Sequence, residues 1–335
     1  MLYTLLVIFL KMAINLSTRA FYDSTTEYIG VKSGLLLNRF QIREILLEHY
    51  NNNFLVNDDL NRYFRLYPDE FDEMLLRIRQ KIGNLRLDSP TQKDYEKLNK
   101  YVKRTRDIER IGRSSGICLK YIYKNPNITN IELAKLLEEE KNYPNEISLS
   151  LANIALERED QSCVSLPKSK SWNGVTKLSD LFECEINSEN ENDFLDQKFI
   201  DYLAINGNEI EKIHWRNFEK FCAEYFNKKG RKVVLGPGTN DGGIDIRVFD
   251  SEDLKKPLIL IQCKRFKREN KVSIETVKSF YTDVLYENAN RGLIATSSYI
   301  SSGGKKVRDT RGYNIDFAEF NKVKSWAIEM WSLKK

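Results

Sequence analysis

Apolar positions recur at helical spacing through the first half of the chain. Ile42, Ile45, Leu46 and His49 fall on one such face, and Phe71, Met74, Leu75 and Ile78 on another, after the helix-opening run Pro68-Asp69-Glu70. Residues 38–159 are therefore expected to be mostly helical, with the charged stretch 92–110 as an exposed connecting helix. From residue 206 the period changes. Helices are predicted at 209–229, 273–287, 302–310 and 319–331, and strands at 232–235, 244–249, 258–264, 292–296 and 313–317. That alternation predicts an α/β domain, a mixed central sheet flanked by helices, behind a mainly α-helical N-terminal region.

Within the helical region, residues 117–123 form an apolar helix, Asn125-Pro126-Asn127 a turn, and Ile131, Leu133, Ala134, Leu136 and Leu137 a second helix capped by Thr129 or Asn130. This pair resembles the first two helices of a winged helix-turn-helix. A recognition helix does not follow at once, because Glu138-Glu139-Glu140 and the Tyr143-Pro144-Asn145 turn intervene. Acidic residues there would be repelled by phosphate, so a plain helical bundle stands beside the target-recognition reading of residues 1–182. Residues 183–198, rich in Glu, Asn, Asp and Ser, read as part of a polar linker over 183–205, with 206–335 as the α/β domain.

Composition narrows the class. With 41% hydrophobic and 30% charged residues, the 335-residue chain has the make-up of a two-domain soluble protein. The net charge of +5 is unevenly placed. From Asn206 onward there are 25 Lys and Arg against 17 Asp and Glu, a net of +8, and before it 28 against 31. The positive half suits a polyanionic partner. Five widely spaced cysteines without a CxxC pair argue against disulfide frameworks and zinc knuckles and fit a reducing cytoplasm. Two histidines leave little scope for a zinc-histidine site. The apolar run over residues 1–10 is too short to span a bilayer, so it is expected to be a buried first element or an over-extended start upstream of Met12, with a membrane anchor as the minority reading.

Candidate chemistry gathers on two predicted strands. Alternation puts Ile244, Ile246 and Val248 on one face and Asp245 and Arg247 on the other, while Leu260, Gln262 and Lys264 share a face in the next strand, with Gln262 and Lys264 about 6 to 7 Å apart. If Phe249 and Leu258 pair across the intervening loop, Asp245 falls opposite Gln262. Their Cβ atoms would then be roughly 5 Å apart, close enough for two side-chain oxygens to hold one cation. On the preceding helix Trp215, Phe218, Glu219, Cys222 and Phe226 follow one face, which makes Glu219 an acid inside an apolar stripe. It needs a cation or a proton. Glu224 lies well round the helix and is the poorer candidate. The oxygens of Asp245, Gln262 and Glu219 suit Mg²⁺, and Lys264 is placed to orient or deprotonate water and to stabilise phosphoryl charge.

The block from Trp215 to Lys264, through Phe218-Glu219, Gly230, Asp241-Gly242-Gly243-Ile244-Asp245 and Gln262-Cys263-Lys264, then Ala295-Thr296-Ser297-Ser298, resembles the Mrr-like restriction endonucleases. These are a branch of the PD-(D/E)xK nuclease superfamily, and the likeness covers roughly the last 125 residues. It implies Mg²⁺-dependent cleavage of duplex DNA, with Mn²⁺ as a possible substitute. Asp245, Gln262 and Lys264 match the family's D and QxK positions and Glu219 its helical acid. The segment Tyr299-Ile300-Ser301-Ser302-Gly303-Gly304-Lys305-Lys306 departs from the Phe-Thr and alanine-rich helix usual there. Gln262 in place of an acid leaves open whether one or two metals bind.

The expectation is a metal-dependent DNA endonuclease of restriction or defence, without a small-molecule cofactor or membrane association, and a homodimer if both strands are cut. Arg265, Lys267, Arg268, Lys305 and Lys306 are the candidate phosphate contacts. Two alternatives remain: a non-cleaving nucleic-acid-binding module of the same fold, and a structure-selective recombination or RNA nuclease.

Overall fold

A computed structural model describes residues 13–51, 55, 59–84, 91–106, 108–125, 128–161, 175–238, 243–250 and 256–333. They separate into two units. The first is built from the chain up to Gly34, from Asn38–Gln80 and from the stretch ending at Val175; the second from Leu35–Leu37, Lys81–Asn84 and Thr176 onward. The expectations for residues 1–10 and for Asp241-Gly242 lie outside the described residues.

In the first unit, β1 (Ile14–Ser17) pairs antiparallel with β3 (Tyr63–Leu66), while α1 (Thr18–Ser33), α2 (Arg39–Leu47) and α3 (Pro68–Lys81) carry the predicted apolar faces. Ile42, Leu46, Met74, Leu75 and Ile78 are buried, and Phe21 meets Phe64 and Phe71 edge-on. His49 lies beyond the end of α2. The stretch 92–110 departs from the single exposed helix expected of it. Arg106, at φ 60°, separates α4 (Thr91–Thr105) from α5 (Ile108–Lys124). Buried Asp94 anchors α4 by accepting from Ser150 Oγ and Asn153 Nδ2, each at 2.9 Å. α6 (Asn130–Lys141) starts on a capping box between Thr129 and Glu132 and ends at left-handed Asn142; α7 (Asn145–Gln161) follows. The cluster of α4 to α7 closes around Cys118, Ile122, Leu133, Leu137, Leu151 and Ala152. Two of the intervening acids serve packing: Glu140 accepts from Tyr121 and Glu138 from Asn145.

The second unit opens with a short parallel pair, β2 (Leu35–Leu36) with β4 (Thr176–Lys177). Then come the one-turn α8 (Asp180–Glu183), α9 (Gln197–Ile205), a 3-10 turn at Gly207–Glu211 and α10 (Trp215–Lys228), which is capped by His214 rather than continuous from residue 209. The linker expected over 183–205 is instead integral to this unit. Ile186, Leu195, Phe199, Ile200 and Leu203 are buried, and Asn217 and Lys220 of α10 bond the backbone at Cys184 and Ile186. Sparse apolar anchors and buried polar partners outweigh the linker-like composition.

The sheet has the order β5 (Lys232–Leu235), β6 (Ile246–Phe249), β7 (Ile259–Lys264), β8 (Arg291–Thr296), β9 (Ile315–Ala318). The first three strands are antiparallel and the last three parallel. Parallel pairing requires crossovers, supplied by α11 (Ile274–Tyr286) and α12 (Ser302–Arg311). Val277, Phe280 and Val284 of α11 pack with Leu260, Ile294 and Ile315. A Cβ at Gly292 would stand 2.7 Å from Val284 and 2.8 Å from Phe280, so α11 rests directly on the β8 backbone. Against the sheet's other members α10 packs on β5, β6 and β7, and α13 (Phe320–Ser332) on β8, β9, α9 and α10. Ser301 caps α12 despite the unusual 299–306 sequence.

Candidate active site

The site forms where β6 and β7 diverge. The register Val248↔Ile259, Arg247↔Leu260, Ile246↔Ile261 runs toward Asp245 and Gln262, and two bonds bracket the pair. Asp245 N–H donates to Ile261 O at 3.1 Å, and Asp245 Oδ2 accepts from Cys263 N–H at 2.6 Å. The strict alternation expected across 244–248 does not hold. Ile244 packs with Leu260, Phe280 and Ile294, a cluster that excludes Ile246 and Val248. The chain thus turns at Asp245, where the carboxylate takes up a strand N–H at the end of the ladder.

Gln262 is 7% exposed. Its Nε2 donates to Gly243 O at 2.9 Å, while Oε1 is buried with no hydrogen-bond partner. An orphaned buried acceptor costs about 1 to 3 kcal/mol unless something satisfies it. Asp245 and Glu219 are also largely buried, at 8% and 6% exposure. Lys264 closes β7, half-buried, two residues from Gln262.

Glu219 has the cation its position demanded: Arg216 Nη1 donates to its Oε2 at 2.6 Å. The same guanidinium donates to Gly236 O at 2.7 Å, and Gly236 N–H donates to Asp245 O, also at 2.7 Å. Arg216 therefore ties the helical acid to the loop that braces Asp245. It was not singled out from sequence, although its place three residues before Glu219 on the same helix was the available signal. Trp215, assigned to the buried stripe, is 41% exposed, and the burial instead runs from Arg216 to Glu224. Glu224 is fully buried, accepts from Phe194 N–H at 2.7 Å and is ion-paired with Lys228. Burial raises its carboxyl pKa above the ordinary range. Cys263, between Gln262 and Lys264, faces Cys222; burial first, then that thiol and the charges of Asp245 and Glu219, push its pKa well up.

The Thr296-Ser297-Ser298 run is a clamp on the segment after β7. Thr296 Oγ1 donates to Lys264 O at 2.6 Å, Ser297 Oγ to Phe266 O at 2.7 Å, and Ser298 Oγ to Arg268 O at 3.1 Å. These fully buried hydroxyls fix the backbone that presents Lys264. The predicted phosphate contacts divide. Arg268 pairs with Glu211 at 3.4 Å and lies over the Phe320 ring, Arg265 donates to Glu211 O, and Lys305 pairs with Glu319 at 2.8 Å. Lys267 and Lys306 are exposed.

The residues present fit a hard divalent cation. Asp245 accepts from the β7 strand at Cys263 N–H, Gln262 on that strand leaves Oε1 orphaned, and Glu219 is a further buried carboxylate, held by Arg216. Among the described residues no three His, Cys, Asp or Glu side chains group to hold a metal, so the amide oxygen would be a necessary member of the set. Also among the described residues, no helix is long and apolar enough to cross a membrane.

A five-stranded mixed sheet flanked by helices, with polar side chains gathered where two strands part, is a restriction-endonuclease-like arrangement. Residues 210–327 match the family model Mrr_cat, described as restriction endonuclease, and this C-terminal domain is Mrr-like. The uncharacterized protein y4cE of Sinorhizobium fredii (strain NBRC 101917 / NGR234) is 23% identical over 122 residues, 36% of this chain and 31% of that protein. The solved MspJI restriction endonuclease, in complex with a 27-mer oligonucleotide, is 14% identical, with a TM-score of 0.30, over 54% of this chain and 39% of that one. The chain thus spans about a third of the length of the curated relative it matches.

Proposed function

We propose that the C-terminal domain hydrolyses phosphodiester bonds of duplex DNA with Mg²⁺, as an enzyme of restriction or defence. The observation that carries this reading is the buried, unsatisfied Oε1 of Gln262, on the strand that takes up Asp245 and two residues before Lys264 on the same strand face. Asp245 and Gln262 would hold the ion, and Glu219 would contact it through water. Bound there, Mg²⁺ supplies Lewis acidity toward a phosphoryl oxygen and lowers the pKa of water. Lys264, its backbone clamped by Thr296, orients the attacking water and stabilises charge on the phosphoryl oxygens. The net charge of +8 from Asn206 onward supports a polyanionic substrate, and exposed Lys267 and Lys306 are the proposed phosphate contacts. Target selection is assigned to the helical unit, with the α5–α6 pair as its candidate reader.

Incubation of the purified chain with Mg²⁺ and matched methylated and unmethylated supercoiled plasmids tests this. Nicking or linearisation that disappears with EDTA is expected; cutting that persists in EDTA would remove the metal mechanism. Tight, salt-sensitive DNA binding without any cutting would favour a non-cleaving module.

A further inference from the structure

α11 brings a carboxylate to the site that none of the sequence motifs marks. Gly243, at φ 89°, closes the turn before β6, and a Cβ built on it would stand 3.2 Å from Gln262 Nε2 and 4.0 Å from Asp283 Oδ2. Bare backbone at this position therefore keeps open the space between the Gln262 amide and the Asp283 carboxylate. Any L side chain would fill that space and would also be strained at this φ.

Asp283 is partly buried, and no basic side chain is ion-paired with it among the described residues. Its charged neighbour is Glu287, one turn on, which is like-signed and already held by Arg247 through two hydrogen bonds. Around the candidate cation position the charges are few. Gln262 is neutral, and the charge of Glu219 is offset by Arg216 at 2.6 Å, a guanidinium also 3.5 Å from Glu185, which Lys220 holds in turn at 2.7 Å. A divalent ion set against Asp245 and an amide oxygen would retain much of its positive charge. Gln262 supplies the independent sign that a ligand belongs here. Its Nε2 is committed to Gly243 O, which fixes the amide so that the orphaned Oε1 is the acceptor left for a cation.

We propose that Asp283 is a further acidic residue of this cation site, reaching the ion through a water held above Gly243 and raising the site's affinity for divalent metal. This rests on the cation site of the proposed function. Asp283 is a positioning residue, acting on the ion through bound water.

The test is Mn²⁺ binding to the full chain without DNA, by calorimetry or by the electron paramagnetic resonance of free Mn²⁺, so that no activity is needed. Asp283→Asn removes charge at constant size and is expected to weaken binding about tenfold, the lower end of what loss of an outer-sphere partner costs. Asp283→Glu should recover part of that loss, and Asp245→Ala should abolish binding. Melting of Asp283→Asn in EDTA should match wild type, which separates a metal effect from a folding defect. Wild-type affinity in Asp283→Asn, with binding lost in Asp245→Ala, would overturn the role of Asp283 and leave the cation site standing. Unchanged binding in Asp245→Ala, or none in wild type, would remove the cation site itself.

Discussion

The α4–α7 cluster and the β6–β7 corner bury polar groups for different ends. In the helical cluster buried Asp94 is taken up by Ser150 and Asn153, and buried Ser114 donates to Arg110 O and bonds the Tyr143 hydroxyl. These bonds join helices, end within one or tie α5 to the turn before α7, and the hydrophobic faces do the rest. At the corner, Asp245 draws on a strand N–H that the ladder no longer uses, Glu219 shares Arg216 with Glu185 and Gly236 O, and Gln262 leaves an acceptor unmet. Ser148 Oγ of α7 is likewise buried without a partner, so an orphaned group alone does not mark a site. What distinguishes the corner is that its orphan is an amide oxygen on the strand that carries Lys264 and takes up Asp245.

Substitutions can break that contrast. The largest effect is expected at Asp245: Asp245→Ala should lower Mg²⁺-dependent nicking at least about a hundredfold, judged by what loss of one group that stabilises transition-state charge costs, with the far-UV circular dichroism unchanged. Lys264→Ala should fall in the same range in single-turnover cleavage while DNA binding in EDTA weakens only slightly; equal losses of cleavage and binding would show that Lys264 serves affinity alone. In the helical cluster the sign of the experiment reverses. Leu133→Ala, at a fully buried α6 position, should cost about 2 to 5 kcal/mol in denaturant unfolding and leave Mn²⁺ affinity untouched.

Smaller effects sharpen the comparison. Thr129→Ala removes the α6 capping box and should cost about 1 kcal/mol, read as an earlier urea midpoint. Glu224 separates structural burial from site burial on a single helix. Because burial raises its native pKa, the folded chain holds this proton to higher pH than the unfolded chain. The resulting stability is full below the ordinary carboxyl range and is lost as pH rises through the native value. Glu224→Gln, which keeps an oxygen for Phe194 N–H, should therefore melt at or above wild type at pH 7, by up to about 2 to 4 °C, and converge with it near pH 4. A variant that melts lower at pH 7 than at pH 4, relative to wild type, would contradict this assignment.

Much of the corner was legible because strand register and local spacing are one-dimensional. Pairing Phe249 with Leu258 gives the register found, Val248↔Ile259, Arg247↔Leu260 and Ile246↔Ile261, but not the turn at Asp245 that breaks the expected alternation. The strands and helices after residue 230 fall within two residues of their predicted bounds for the same reason. What escaped depends on partners distant in sequence. Residues 183–205 look like a linker by composition, yet Asn217 and Lys220 of α10 anchor their backbone. The break at Arg106 depends on a left-handed residue that no glycine advertises. Arg216 acts through what it faces across the fold, as does the proposed role of Asp283, and neither belongs to a spaced motif.

The most direct test of the central claim is supercoiled-plasmid nicking by wild type and Asp245→Ala, each with Mg²⁺ and with EDTA, under one salt condition. The account predicts cutting by wild type with Mg²⁺ and by neither protein otherwise. Equal cutting by Asp245→Ala, or cutting by wild type in EDTA, would contradict it.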